Sequence, residues 1–179
     1  MKRIILTITI TTIVLIFSLS CQSYQVTGTY EEREKAGTFG VGLTTEVNDY
    51  GECTFFYLFD MYPEVTGLEA QAAGFDVNLK YPFYFAWDHL SIFPIVGFES
   101  RFIFTSNENP DVPFPPDEKN KRFGLGVKFG GGLDIYFSEA FFIRGTVLYL
   151  PEFSSFYNSY QGLRINVALG YRAEDYRRF

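Results

Sequence analysis

Cysteine and histidine are scarce in this chain, which has two cysteines, Cys21 and Cys53, and one histidine, His89, in 179 residues. No Cys-x-x-Cys pair or cysteine and histidine cluster occurs, so the sequence predicts no metal site and no cofactor. The two cysteines can pair in an oxidising compartment, but their spacing does not show whether the geometry of a disulfide is met. The formal net charge of −6 argues against nucleic acid as a partner.

Long hydrophobic runs are also lacking, except for one at the amino terminus. Two basic residues precede an apolar stretch at 4–17, and small residues follow it. This layout is typical of a secretory signal peptide, and the stretch is shorter than the roughly 20 apolar residues of a spanning helix. We therefore expect residues 1–20 to be a removed signal peptide, with an uncleaved anchor as the alternative. The mature part, 21–179, is enough for one domain, and its 13 basic and 21 acidic residues give a charge of −8.

Cys21 lies where the acylated cysteine of a bacterial lipoprotein would lie. Leu19, however, stands one position away from its usual place before such a cysteine. Lipidation of Cys21 and ordinary cleavage beside an unmodified cysteine are both open at this point.

Apolar and polar residues alternate along most of the mature chain. The clearest segment, 123–137, has phenylalanine, leucine, valine and isoleucine at most odd positions, and glycine, Lys128 and Asp134 among the even ones. Segments 74–81 and 163–172 repeat this period of two, which predicts strands with one apolar face. Weaker alternation covers 24–30, 39–44, 98–104 and 141–149, while 53–62 is apolar on both faces. No helix is predicted after the signal peptide.

The connections between these segments alternate between short and long. The short ones are 48–52, 84–89 and 138–139, and the longer ones are 63–68, 105–121 and 151–161. A membrane barrel with both termini in the periplasm has an even number of strands, short turns on that side and longer loops outside. The sequence thus predicts an all-β fold, a single antiparallel up-and-down transmembrane barrel of about eight strands. This count requires a first strand within residues 22–31.

The strands of a soluble ligand-binding lipoprotein barrel also alternate apolar and polar residues, but their apolar face is turned inward. In this chain the polar face carries glycines and a few charges, whereas a surface facing water is normally dense in lysine and glutamate. We expect the glycines to face the interior of a narrow barrel, where they leave room for long charged neighbours. The pattern therefore favours the membrane barrel over the soluble one.

The chain resembles the small outer-membrane barrels of the OmpA, OmpX and OmpW type over its whole mature length. Segments 123–137 and 163–172 and the terminal Phe179 carry the resemblance. It implies a location in the bacterial outer membrane, contact with outer-membrane lipid, and insertion by the barrel-assembly machinery, which reads a terminal aromatic residue. The polar stretch 173–178 departs from the pattern, because Phe179 does not end an alternating strand. The resemblance implies no functional residue.

The parity of the predicted strands turns a set of charged residues inward. Six bases and three acids make up this predicted lumen network: Asp76, Lys80, Glu99, Arg101, Lys128, Asp134, Arg144, Arg164 and Arg172. A barrel of about eight strands is just wide enough for side chains to fill. The charges therefore predict a structural plug, and their basic excess keeps a porin-like, narrow anion passage open as the alternative.

Catalysis is a further reading, because a few barrels of this size modify lipids with serine, histidine and a carboxylate. Asp88 and His89 are adjacent and Ser91 follows. Neighbouring residues of a strand face opposite ways, so we interpret this segment as an interfacial turn. We expect that the protein is not an enzyme and that its barrel has a structural or surface-interaction role.

Overall fold

The computed structural model describes residues 22–32, 37–59, 70–86, 89–105, 123–151 and 162–173. The predicted signal peptide, Cys21, the longer loops apart from Thr105 and Pro151, and Phe179 lie outside these ranges. The described residues form nine strands: β1 (Ser23–Glu32), β2 (Gly37–Asn48), β3 (Gly51–Phe59), β4 (Ala70–Lys80), β5 (Phe83–Phe85), β6 (Leu90–Thr105), β7 (Phe123–Tyr136), β8 (Phe141–Leu150) and β9 (Gly162–Arg172). In this part of the chain, no helix is long and apolar enough to cross a bilayer.

The strands close into one antiparallel barrel. Strands β1 to β4 pair in chain order, as do strands β5 to β9, while β4 pairs with β6 and β1 pairs with β9 to complete the ring. The three-residue β5 continues the line of β4, because both pair with β6, at Lys80 with Ile95 and at Phe83 with Ile92. The barrel therefore has eight strand positions around its circumference, one of which β4 and β5 share. The predicted eight-stranded up-and-down barrel is confirmed, and so is its weakly patterned first strand.

The turn between β2 and β3 is shorter than the sequence predicts. Gly51 and Glu52 belong to β3, so the predicted turn at 48–52 shrinks to Asp49 and Tyr50. A register shift between Glu46 and Asn48 allows this tight connection. The Asn48 side chain stabilises it by accepting a hydrogen bond of 2.8 Å from the Tyr50 amide.

Most of the large apolar side chains face outward around the barrel, and the charged side chains of the strand centres face inward. Val26 is 67% exposed and Val167 60%, although both lie in the middle of their strands. Aromatic residues contact one another near both ends of the outer surface, as in the interfacial rings of membrane barrels: Tyr30 with Phe39, Phe102 with Phe123, Tyr50 with Tyr81, and Phe141 with Tyr171. This arrangement is the reverse of that in a soluble ligand-binding barrel.

Candidate functional site

Among the residues that the structure describes, twelve charged side chains face the interior of the barrel. The structure places eight of the nine predicted lumen residues in buried positions and Arg172 in a half-buried one. Three further buried carboxylates, Glu31, Glu46 and Glu52, join them. Six acids thus face six bases, and the expected basic excess is wrong for the described residues.

The three missed acids lie at strand ends. Glu31 and Glu46 continue the inward alternation of β1 and β2 beyond the residues assigned to those strands, and Glu52 was assigned to a turn. Extending the alternating patterns of β1 and β2 by one or two steps would have found Glu31 and Glu46, whereas the segment after Glu52 is apolar on both faces and offers no pattern to extend. For Glu31 and Glu46, the missing signal was therefore strand length and not strand parity.

Half of the interior charges form the loop-side cluster, near the end of the barrel where the longer loops connect. In this cluster, Arg101 donates to both Glu31 oxygens at 2.8 Å and to Glu99 at 2.8 Å. The Arg164 guanidinium lies 2.6 Å from Glu31, 2.9 Å from Glu99 and 3.3 Å from Asp76. The loop-side cluster comprises Glu31, Asp76, Glu99, Arg101, Lys128 and Arg164, with Lys128 paired to Asp76.

The other half forms the turn-side cluster, near the end with the short turns. Arg144 lies at its centre and donates to Asp134 at 2.5 and 2.6 Å, to Glu52 at 2.7 Å and to Glu46 at 2.8 Å. Lys80 also pairs with Glu46. Charge-assisted bonds of this length are among the strongest that proteins make. The turn-side cluster comprises Glu46, Glu52, Lys80, Asp134, Arg144 and Arg172.

Arg172 joins the turn-side cluster through a tyrosine. Its guanidinium donates to the Tyr136 hydroxyl at 2.9 Å, and this hydroxyl donates to Asp134 at 3.1 Å. The Arg172 side chain also lies over the Tyr136 ring, 4.9 Å from its centre. The Tyr136 hydroxyl therefore connects Arg172 to Asp134 through two hydrogen bonds.

Three inward phenylalanine rings support the cations. Arg164 lies 4.6 Å from the centre of Phe56 and Arg144 4.8 Å from that of Phe93 and 5.4 Å from that of Phe142, all within the range of cation–π attraction. Each ring covers an inward glycine, and a Cβ there would collide with it: Phe56 on Gly74, Phe93 on Gly132, and Phe142 on Gly170. These glycines were expected to make room for charged side chains. They make room for rings, and the rings hold the charges.

A small polar cavity of about 30 Å³ separates the two clusters. Uncharged polar side chains of the middle layer line it, among them Thr27, Thr44 and Asn166. The Gln25 amide nitrogen and the Asn78 amide oxygen are buried at this cavity without a hydrogen-bond partner. Its volume and polarity suit a few water molecules at most, which would satisfy such groups.

Comparisons with known proteins find similarity at the level of structure. No protein-family model matches the sequence, and no curated protein matches it. The crystal structure of the N-terminal β-barrel domain of Pseudomonas aeruginosa OprF superposes with a TM-score of 0.53 at 13% identity, covering 86% of this chain and 98% of that one. Neisserial surface protein A, NspA, superposes with a TM-score of 0.54 at 9% identity, covering 85% and 94%. This chain has the fold of the small outer-membrane barrels.

The resemblance seen in the sequence is thereby confirmed for the fold. A de novo designed protein, TMB2.3, shares it as well, with a TM-score of 0.50 at 12% identity over 87% of this chain and 97% of that one. Identities this low show a common architecture alone. The chemistry of the barrel must therefore be read from its own residues.

Ala86 and His89 lie in turn positions between β5 and β6, whereas Tyr84 and Phe85 of the predicted turn at 84–89 belong to β5. The His89 amide donates to the Ala86 carbonyl at 3.2 Å, and the His89 carbonyl accepts from the Tyr136 amide at 2.9 Å. Its ring nitrogen Nδ1 lies 3.3 Å from the Tyr136 carbonyl, while Asp88 lies outside the described residues. Within the described ranges, no group of three histidine, cysteine or acidic side chains is arranged to hold a metal ion.

Proposed function

We propose that this chain is an integral protein of the bacterial outer membrane whose barrel is closed and has a structural or surface-interaction role. The barrel contacts outer-membrane lipid, is inserted by the barrel-assembly machinery, and carries no catalytic activity. The observation that carries the proposal is the interior: six acids and six bases in two hydrogen-bonded clusters stacked along the barrel axis.

Energetics support a closed interior. An ion that loses its partner in a dry environment costs several kcal/mol, so each cluster resists opening. Arg144 and Arg164 each reach three carboxylates at once, and a passing solute would have to break several of these contacts together. The outward apolar surface, in turn, suits a bilayer. A barrel with a stable interior plug and a lipid-facing wall holds the chain in the membrane. It presents the longer loops to the outside.

A narrow small-solute passage is the second candidate. The central cavity favours it, because its unpartnered Gln25 and Asn78 groups attract water between the clusters. Anion preference needs a positive excess, however, and the described interior is balanced. The channel reading therefore requires both clusters to rearrange.

Conductance in planar bilayers tests the proposal. Purified mature protein should give no steady current. Glu99→Gln should destabilise the fold, because it removes the negative charge that pairs with Arg101 and Arg164. Ile165→Val, on the outward face beside Arg164, is the matched control and should change neither property. Reproducible anion-selective openings that Arg164→Glu weakens or reverses would overturn the closed barrel.

A further inference from the structure

The interior charges are segregated along the chain. Strands β1 to β4 contribute four acids and one base, Glu31, Glu46, Glu52, Asp76 and Lys80, a net charge of −3. Strands β7 to β9 contribute four bases and one acid, Lys128, Arg144, Arg164, Arg172 and Asp134, a net charge of +3. Strand β6, between the two groups, is neutral with Glu99 and Arg101. The inner face of the sheet is therefore acidic in its amino-terminal half and basic in its carboxy-terminal half.

Two pairs of acids face each other directly across neighbouring strands. Glu46 of β2 is opposite Glu52 of β3, and Asp76 of β4 is opposite Glu99 of β6. Like charges at directly opposed positions destabilise a strand pair. Both pairs lie within strands β2 to β6, and neither involves β8 or β9. Lys80 of β4 lies beside Glu46 and Glu52, and Arg101 of β6 lies beside Glu99. In an unclosed sheet, one base therefore offsets each pair of acids only in part.

Each of these acid pairs is bridged by an arginine from the carboxy-terminal half. Arg144 of β8 contacts Glu46 at 2.8 Å and Glu52 at 2.7 Å. Arg164 of β9 contacts Asp76 at 3.3 Å and Glu99 at 2.9 Å. None of these contacts joins strands that are neighbours in the sheet. They exist only when the barrel has closed and the lumen brings its two walls together.

We propose that this segregation is a closure device: attraction between the acidic and basic halves draws the sheet into a full barrel, and Arg144 and Arg164 latch it. A partial barrel made from β1 to β4 alone would bury three uncompensated negative charges, and this cost disfavours premature closure. Closure of the complete eight-stranded barrel neutralises the interior charges of both halves in one step. The device concerns assembly and is independent of whether the finished barrel conducts.

The salt dependence of closure is the first test. Mature protein is diluted from urea into zwitterionic detergent micelles, and closure is followed by gel mobility without heating. Salt screens charges that are still exposed to water, so the closure rate should fall several-fold from low to high salt. A closure rate that does not change with salt would refute the device.

A charge transposition is the second test. Asp76→Lys combined with Lys128→Asp keeps the pair and the neutral interior, but it reduces the charges of the halves to −1 and +1. Glu46→Lys combined with Lys80→Glu is the matched control, because it transposes an equivalent pair within one half and leaves −3 and +3. The first variant should close several-fold more slowly than the control and depend less on salt. Equal rates for both would show that pairing alone matters, and if either variant fails to fold, the salt series of the wild type decides.

Discussion

Arg144→Met is expected to remove a large part of the stability of the barrel. The methionine keeps much of the length and apolar volume of the side chain but abolishes four hydrogen bonds, to Asp134, Glu52 and Glu46. Lys80 then remains as the charged partner beside Glu46 and Glu52. Removing one member of a buried ion pair typically costs about 3 to 5 kcal/mol, because the other is left uncompensated. We expect a loss of this size in the free energy of unfolding, measured by urea titration in lipid vesicles.

Two comparisons show whether the lost charge is responsible. Ile143→Met changes the adjacent, outward residue, which is 43% exposed, and should cost less than about 1 kcal/mol. Adding Asp134→Asn to Arg144→Met should recover part of the loss, because it removes one of the stranded acids. A cost of Arg144→Met no larger than that of Ile143→Met would refute the argument that the ion pairs hold the interior.

Three further predictions follow from the two faces of the wall and from the loops. Leu133→Arg places a charge in the outward apolar belt and should cost about 2 to 4 kcal/mol in vesicle refolding, whereas Leu133→Met should refold normally; equal yields would remove the lipid-facing assignment. Gly170→Ala should destabilise the barrel because its Cβ meets an inward ring, while Gly145→Ala, which meets no atom within 4 Å, should be tolerated in the same urea titration. An epitope inserted after Asn109, in the polar, proline-rich 105–121 loop, should be labelled on intact cells, and labelling only after permeabilisation would invert the topology.

The wall of the barrel was predictable because it depends on local pattern. Phe129, Leu133 and Ile135 alternate with glycine, lysine and aspartate, and strand geometry alone then turns them to one face. The weak first strand was predictable as well, because an up-and-down barrel of this type requires an even number of strands. Lipid outside and a narrow polar lumen inside require opposite polarities on the two faces of the wall, so most of the strands carry the same alternating pattern.

The arrangement of the interior was less predictable because it depends on contacts between distant strands. Arg144 and Glu46 are 98 residues apart in the chain, and only the closed register brings them together. The acids at strand ends were missed because a turn and a strand end have similar composition, as Glu52 illustrates. Likewise, the glycine at 170 is explained by the Phe142 ring above it, and no pattern within β9 indicates that ring.

Gel mobility of the detergent-extracted protein with and without heating tests the central claim, a closed barrel inserted in the outer membrane, most directly. A folded barrel stays compact in dodecyl sulfate until heat unfolds it, because its strands form a ring without edges. We predict that protein from the outer-membrane fraction migrates as a faster band when unheated and shifts to its expected mass after heating. A single mobility under both conditions, together with recovery of the protein in the soluble fraction, would contradict the account.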